Sequence, residues 1–130
     1  MADKFAEEII DITQQLLNSI AAGDWDAYAK LCDPEITAFE PEARGQLVAG
    51  LDFHKFYFQL ERSDSPRNIT LCSPKVWHLG ANAAAICYVR LIQGLGSDDA
   101  PHTVSFEETR IWQKQEGAWK HVHFHRSIGV

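Results

Sequence analysis

The sequence predicts a single α+β domain, and three observations carry that expectation. An amphipathic helical period fills the opening stretch, runs of β-branched and aromatic residues fill the second half, and hairpin-sized breaks separate those runs. Phe5, Ile9, Ile12, Leu16 and Ile20 recur at steps of three and four, with Ile10, Thr13 and Leu17 widening the stripe, so a helix is expected from about Asp3 to Ala22. Gly23 ends it by accepting a left-handed backbone, and Asp24 caps a short second helix from Trp25 to Leu31. Asp33-Pro34 closes that helix, and Ile36 to Glu40 form a brief extended piece before a loop punctuated by Pro and Gly. A third helix is expected over Leu51 to Leu60, followed by a surface loop from Arg62 to Arg67. Ile69–Leu79, Ala83–Gln93, Thr103–Lys114 and Ala118–Ser127 then read as strands pairing antiparallel in a meander.

With 130 residues, 45% of them hydrophobic, the chain makes one domain with one core, spanning residues 1–130. A net charge of −6 excludes a sequence-independent nucleic-acid binder, which needs a basic stripe to displace counterions. No apolar run reaches the roughly 20 residues of a membrane span, so neither nucleic acid nor membrane is an expected partner. Cys32, Cys72 and Cys87 are odd in number and lack metal-ligand spacing, and Met1-Ala2-Asp3-Lys4 lacks the apolar core of a signal peptide, so a reducing, cytoplasmic setting is expected. No cofactor is expected.

Strand alternation assigns faces. Val122 and Phe124 set the covered register of the last strand, which continues to Arg126. Val104, Phe106 and Trp112 share a face with Glu108 and Arg110, and Ile86, Tyr88 and Ile92 share theirs with Arg90. Three arginines thus occupy registers otherwise filled by core residues, although a buried unpaired charge is costly. Two arrangements meet that cost. The arginines reach the rim of the sheet or pair with Glu107, Glu108, Glu40 or Glu42; or they converge near the open end of a cone and form a pocket for a small anion. His121, His123 and His125, two apart, fall on the opposite face with Trp119. That face is read as a contact surface for a helix or a neighbouring subunit, with zinc as the minority alternative. His54, in the aromatic segment Phe53 to Phe58, fits either a core histidine or a pocket wall.

From about Glu8 to Ser127 the sequence resembles the association (hub) domain of calcium/calmodulin-dependent protein kinase II. The motifs are Gly23-Asp24-Trp25 with Tyr28, Cys32-Asp33-Pro34, Phe39 to Ala43, Gly50 to His54 with Phe56-Tyr57-Phe58, Glu107 to Arg110 with Trp112, and His123 to Ser127. The resemblance implies a cone-shaped, nuclear transport factor 2-like fold, with the N-terminal helix cradled by a strongly curved antiparallel sheet, and assembly into stacked rings larger than a tetramer. It also implies a pocket for small carboxylates such as γ-hydroxybutyrate, lined here by Arg90, Arg110, Arg126, His54 and Tyr28, with Glu108 in the same register. Calmodulin binding enters by family analogy alone. No kinase domain, calmodulin-binding segment or linker precedes Met1, so the chain is expected to be either a protein that is only a hub or an excised fragment, the native-looking start favouring the former. Gln59-Leu60-Glu61-Arg62 lacks the family's tryptophan, so the resemblance brings no ligand-responsive aromatic flap, and Phe106 stands where the kinases carry a small polar residue.

Two functions compete at this point. One is a non-enzymatic assembly scaffold. The other is an isomerase, cyclase or dehydratase of the ketosteroid isomerase or polyketide cyclase type, which uses a pocket carboxylate or histidine as general base. Cations around Glu108 would depress its pKa and favour an ion pair over a base, so the scaffold is the expected reading and no catalytic residue is assigned.

Overall fold

A computed structural model describes residues 3–60 and 67–127. Helix α1 runs Lys4–Ala22, and the Asp3 carboxylate accepts the Ala6 N–H at 3.1 Å to cap it. Gly23, at φ 67°, ends α1 by returning its N–H to the last turn. Asp24 repeats the N-terminal device for α2, Trp25–Leu31, by accepting from Ala27 N–H at 3.1 Å. After β1 (Cys32–Phe39), a 3-10 turn (Pro41–Ala43) and the two-residue β2 (Val48–Ala49), α3 spans Asp52–Gln59. Strands β3 (Arg67–His78), β4 (Ala83–Leu95), β5 (Pro101–Gln115) and β6 (Ala118–Arg126) complete the chain. Of the expected loop Arg62–Arg67, residues 62–66 lie outside the described residues, as does the part of the chain just after Leu60, and Arg67 opens β3.

The sheet order is β2-β1-β6-β5-β4-β3. Strands β3 to β6 form the expected antiparallel meander, but β1 runs parallel to β6, so the whole sheet is mixed. Strand β1 also starts earlier than expected, directly at Cys32. Its pairing shifts between Cys32 and Thr37, which puts Pro34, with no N–H to offer a ladder, in an unpaired bulge rather than at a helix end. The small strand β2 pairs back on β1 and was not foreseen inside the loop.

Helix α1 lies across one face of the sheet. Ile9, Leu16 and Leu17 are fully buried there, with Ile36, Ile86 and Trp112. The indole N–H of Trp112 donates to Thr13 Oγ1 at 3.1 Å, and that hydroxyl donates onward to the Ile9 carbonyl at 2.7 Å, so the largest core side chain leaves no polar atom unpaired.

One face assignment is corrected by a bulge. Ile111 pairs His123 and Trp112 pairs His121, which leaves Val122 without a partner and reverses the alternation of β6. Trp119 and His121 therefore point inward with Trp112, at 7% and 0% exposure, instead of lying on the outer face. Trp119 packs edge-on against Phe5 and donates to Glu8 Oε1 at 2.9 Å. Beyond the bulge the expected register returns, with Phe124 buried and His123 and His125 outward. The three histidines do not share a face, and among the described residues no cluster of His, Cys, Asp and Glu could hold a metal ion.

Candidate functional site: an arginine-lined cavity

The open end of the sheet holds a cavity of ≈ 200 Å³. Strands β4, β5 and β6 contribute through their inward registers: Arg90 from β4, Glu108 and Arg110 from β5, Phe124 and Arg126 from β6. Tyr28 from α2 and His54, Tyr57 and Phe58 from α3 close the aromatic side, and Glu40 and Glu42 come from the end of β1 and the turn after it. The six positions singled out from the sequence, Arg90, Arg110, Arg126, His54, Tyr28 and Glu108, thus line one space.

The centre of the wall is an ion cluster. The Glu108 side chain, fully buried, lies 3.2 Å from Arg90 Nη2 and 3.1 Å from Arg110 Nη2. The Tyr88 hydroxyl donates to Glu108 Oε1 at 2.6 Å and accepts from Arg110 Nε at 2.7 Å, tying both partners together. Burial alone would push the Glu108 carboxyl up, but the charges of Arg110 and Arg90 outweigh it and hold the carboxyl below its ordinary value. The Arg90–Glu108 contact is an ion pair without hydrogen-bond geometry, since Glu108 Oε2 and Arg90 Nε both lack a hydrogen-bond partner. Cation–π contacts complete the packing: Arg110 lies 4.6 Å from the Phe124 ring centre, while Phe106 sits near Arg90 and Arg126 at 5.4 and 5.0 Å. Phe106 is thus a spacer between two guanidiniums and not a lining residue of the cavity.

The third arginine differs. Arg126 pairs with Glu42, and their side chains are 15% and 32% exposed, against 6% or less for the Arg90–Glu108 and Arg110–Glu108 pairs. His54 is at once core and wall: it is 5% exposed, sits 3.4 Å from Glu40 through Nε2, and packs 5.5 Å from Phe124. Neither of its ring nitrogens makes a hydrogen bond. Tyr28 packs against Phe58 with the rings tilted by 40° and their centres 4.8 Å apart, and burial pushes its phenol well above the ordinary value.

The bulge in β6 adds a residue that alternation had placed outside. His121 Nε2 lies 3.3 Å from Arg110 Nη1, and a guanidinium can only donate, so the Nδ1 side carries the proton and faces Cys32 Sγ at 3.6 Å. Burial, with Arg110 beside it, holds His121 well below its ordinary 6.5. The unfolded chain therefore takes up this proton first as pH falls, so the contribution of a neutral His121 is present above pH 6.5 and is lost on acidification below it. Denaturant unfolding should show stability declining below that pH, with a slope of at most about 1.4 kcal/mol per pH unit for one proton. His121→Gln, which keeps an acceptor and a donor, should flatten the decline. A part of it should persist through His123, which partial burial and His125 also hold low.

A long helix packed on a curved mixed sheet, with a cavity at the open end, is the nuclear transport factor 2-like fold. A Salmonella enterica protein of that superfamily matches at a TM-score of 0.75, with 23% identity, over 94% of this chain and 89% of its own. Within that class the chain belongs to the calcium/calmodulin dependent protein kinase II association domain family, whose model matches residues 5–129. The kinase type II alpha chain of Drosophila melanogaster is 52% identical over 95% of this chain and 24% of its own length. The hub homology domain of Chlamydomonas reinhardtii superposes with a TM-score of 0.90 at 47% identity, covering 95% of this chain and 97% of that one. The association domain of the C. elegans kinase gives 0.89 at 41% identity, covering 94% of each chain. The chain spans about a quarter of the length of the curated relatives it matches. Among the described residues no helix is long and apolar enough to cross a membrane.

Proposed function

We propose that the chain is an assembly module that closes into a ring-shaped homo-oligomer larger than a tetramer, with a cavity that takes a small carboxylate or a carboxylate-bearing peptide segment. The observation that carries the assembly reading is the outer face of the sheet. Ala85, Cys87, Val89 and Leu91 of β4 pair Ile111, Thr109, Glu107 and Ser105 of β5, and Ile111 and Thr109 pair His123 and His125 of β6, which pair Thr37 and Phe39 of β1. Apart from Glu107, His125 and Phe39, these side chains are half-buried, and α1 lies on the other face. A continuous face of this kind, apolar on β4 and mixed with threonine and histidine on β5, β6 and β1, is what subunit contacts cover. Membership of an association-domain family and likeness to a hub homology domain support the same reading. Trp119, turned inward by the bulge, is withdrawn from this surface, and Phe39 joins His123 and His125 there.

The carboxylate reading rests on the Arg126–Glu42 pair, which among the described residues is the one ion pair of the cavity open enough to exchange partners. An incoming carboxylate must displace Glu42, so affinity should be weak, about micromolar to millimolar. Calorimetric titration with a short-chain hydroxy acid should give heat for the wild type and none for Arg126→Ala, with the oligomer intact in both. Equal heats, or none from either protein, would mean that the arginines serve only as structural partners. The enzyme alternative has less support. Glu108, Glu40 and Glu42 each lie within 4 Å of an arginine or histidine, so no carboxylate on this wall is placed as a free base.

A further inference from the structure

Assembly through the outer sheet face places two histidines where water must leave. His123 and His125 stand two apart on β6, both outward, His123 half-buried and His125 exposed. Each is set between β5 and β1: His123 between Ile111 and Thr37, His125 between Thr109 and Phe39. The Thr37 hydroxyl lies 2.7 Å from His123 Nδ1, and the Phe39 ring centre is 6.0 Å from the His123 ring and 5.5 Å from the His125 ring. These neighbours position the imidazoles and supply no counter-ion. The charged groups farther out belong to four strands. On β5, exposed Glu107 shares a groove with His125, Thr109 and Cys87 of β4; on β1, exposed Glu35 stands two residues before Thr37. On β3, Lys75 pairs Cys87 across the ladder and lies over Trp77; on β6, Lys120 donates to the Lys30 carbonyl. Among the described residues the histidines within 4 Å of a carboxylate are His54, His78 and His102, not this pair.

We propose that the outer face is a proton-sensitive joint: subunits close on it while His123 and His125 are neutral, and proton uptake by this pair opens the assembly. The proposal rests on the assembly reading above and names how that contact is regulated. An imidazolium covered by a second subunit loses its water and gains no anion, and a second imidazolium two residues away adds repulsion. The lone subunit already shows the direction, since partial burial and His125 hold His123 below its ordinary 6.5. Covering the face carries the same effect further. The assembled state therefore binds fewer protons than the open one, so assembly is favoured above about pH 6.5 and is lost as the pH falls below it. In a ring the contact recurs at every subunit, which steepens the response.

The test is native mass measurement of the wild-type protein at micromolar concentration from about pH 8 to about pH 5.5, the range over which histidine charge changes, with a dilution series at each pH. The closed species expected at the upper end should give way to smaller ones below about pH 6.5 and return when the pH is raised again. The subunit concentration for half-assembly should rise about tenfold or more per pH unit, the effect of one linked proton. Far-ultraviolet circular dichroism at each pH separates this opening from unfolding of the subunit, in which His121 titrates. In the His123→Asn, His125→Gln double variant the same concentration should vary by less than about threefold across the range, whatever its starting value. A wild type with no closed species at the upper end would overturn the assembly reading and the joint with it. A closed species that keeps its mass down to the lower end, one that tightens on acidification, or a double variant that opens as steeply as the wild type would overturn the joint alone. If the double variant does not close at any pH, the wild-type slope decides, and a rise below about threefold per pH unit overturns the joint.

Discussion

Glu108→Ala is expected to cost about 3–5 kcal/mol of stability, the range seen when one partner of a buried ion pair is removed and the other is left uncompensated. Here the loss falls on two cations at once, since Arg90 and Arg110 are 5% and 1% exposed and share this one carboxylate. The Tyr88 hydroxyl loses its acceptor in the same step. Against a total stability of about 5–15 kcal/mol for a domain, this is a large fraction, and it should lower the melting temperature by roughly 10–20 °C. Adding Arg90→Met to the Glu108→Ala chain should recover part of the loss, because it removes one of the stranded charges and fills the space with an apolar chain. A Glu108→Ala loss below about 1 kcal/mol, measured by denaturant unfolding, would mean that water or rearranged side chains already screen the cluster.

The second large effect is on assembly. Val89 lies at the midpoint of β4 on the outer face, half-buried within the subunit and flanked across the ladder by Glu107. Val89→Asp places a second carboxylate opposite the first in a surface that must dehydrate on assembly, while inside the subunit it removes only a partly covered side chain. The variant should keep the subunit fold by far-ultraviolet circular dichroism and lose the closed assembly. Homo-oligomer contacts repeat around a ring, so a defect in one subunit surface recurs at every interface, and a modest cost per contact multiplies.

How far the sequence foretold these features depends on whether the signal was local. Helix α1 was readable because its stripe, the Asp3 cap and the Gly23 terminator all lie within it, and α2 because Asp24 caps it in the same way. The inward registers of β4 and β5 were readable because no bulge interrupts their ladder from Ala83 to Leu95. That alternation placed Arg90, Glu108 and Arg110 on the covered side. It failed in β6, where the unpaired Val122 turned Trp119 and His121 inward, because a bulge is set by the partner strand and leaves no mark in the local pattern. Strand β2 and the parallel pairing of β1 with β6 escaped for the same reason: both depend on distant segments meeting. The choice of partner for each arginine was likewise open. Glu108, Glu40 and Glu42 were all candidates, and packing gave Glu108 to two arginines, Glu40 to His54 and Glu42 to Arg126. Phe106, named from the sequence as a departure from the family, proved to be the spacer between Arg90 and Arg126.

The central claim is that this chain assembles through its outer sheet face, and native mass measurement of the purified protein at micromolar concentration tests it most directly. The account predicts one closed species of more than four subunits for the wild type, and a collapse toward monomer or dimer for Val89→Asp. A wild type that remains monomeric or dimeric at that concentration, or a Val89→Asp variant with the wild-type mass, would contradict it.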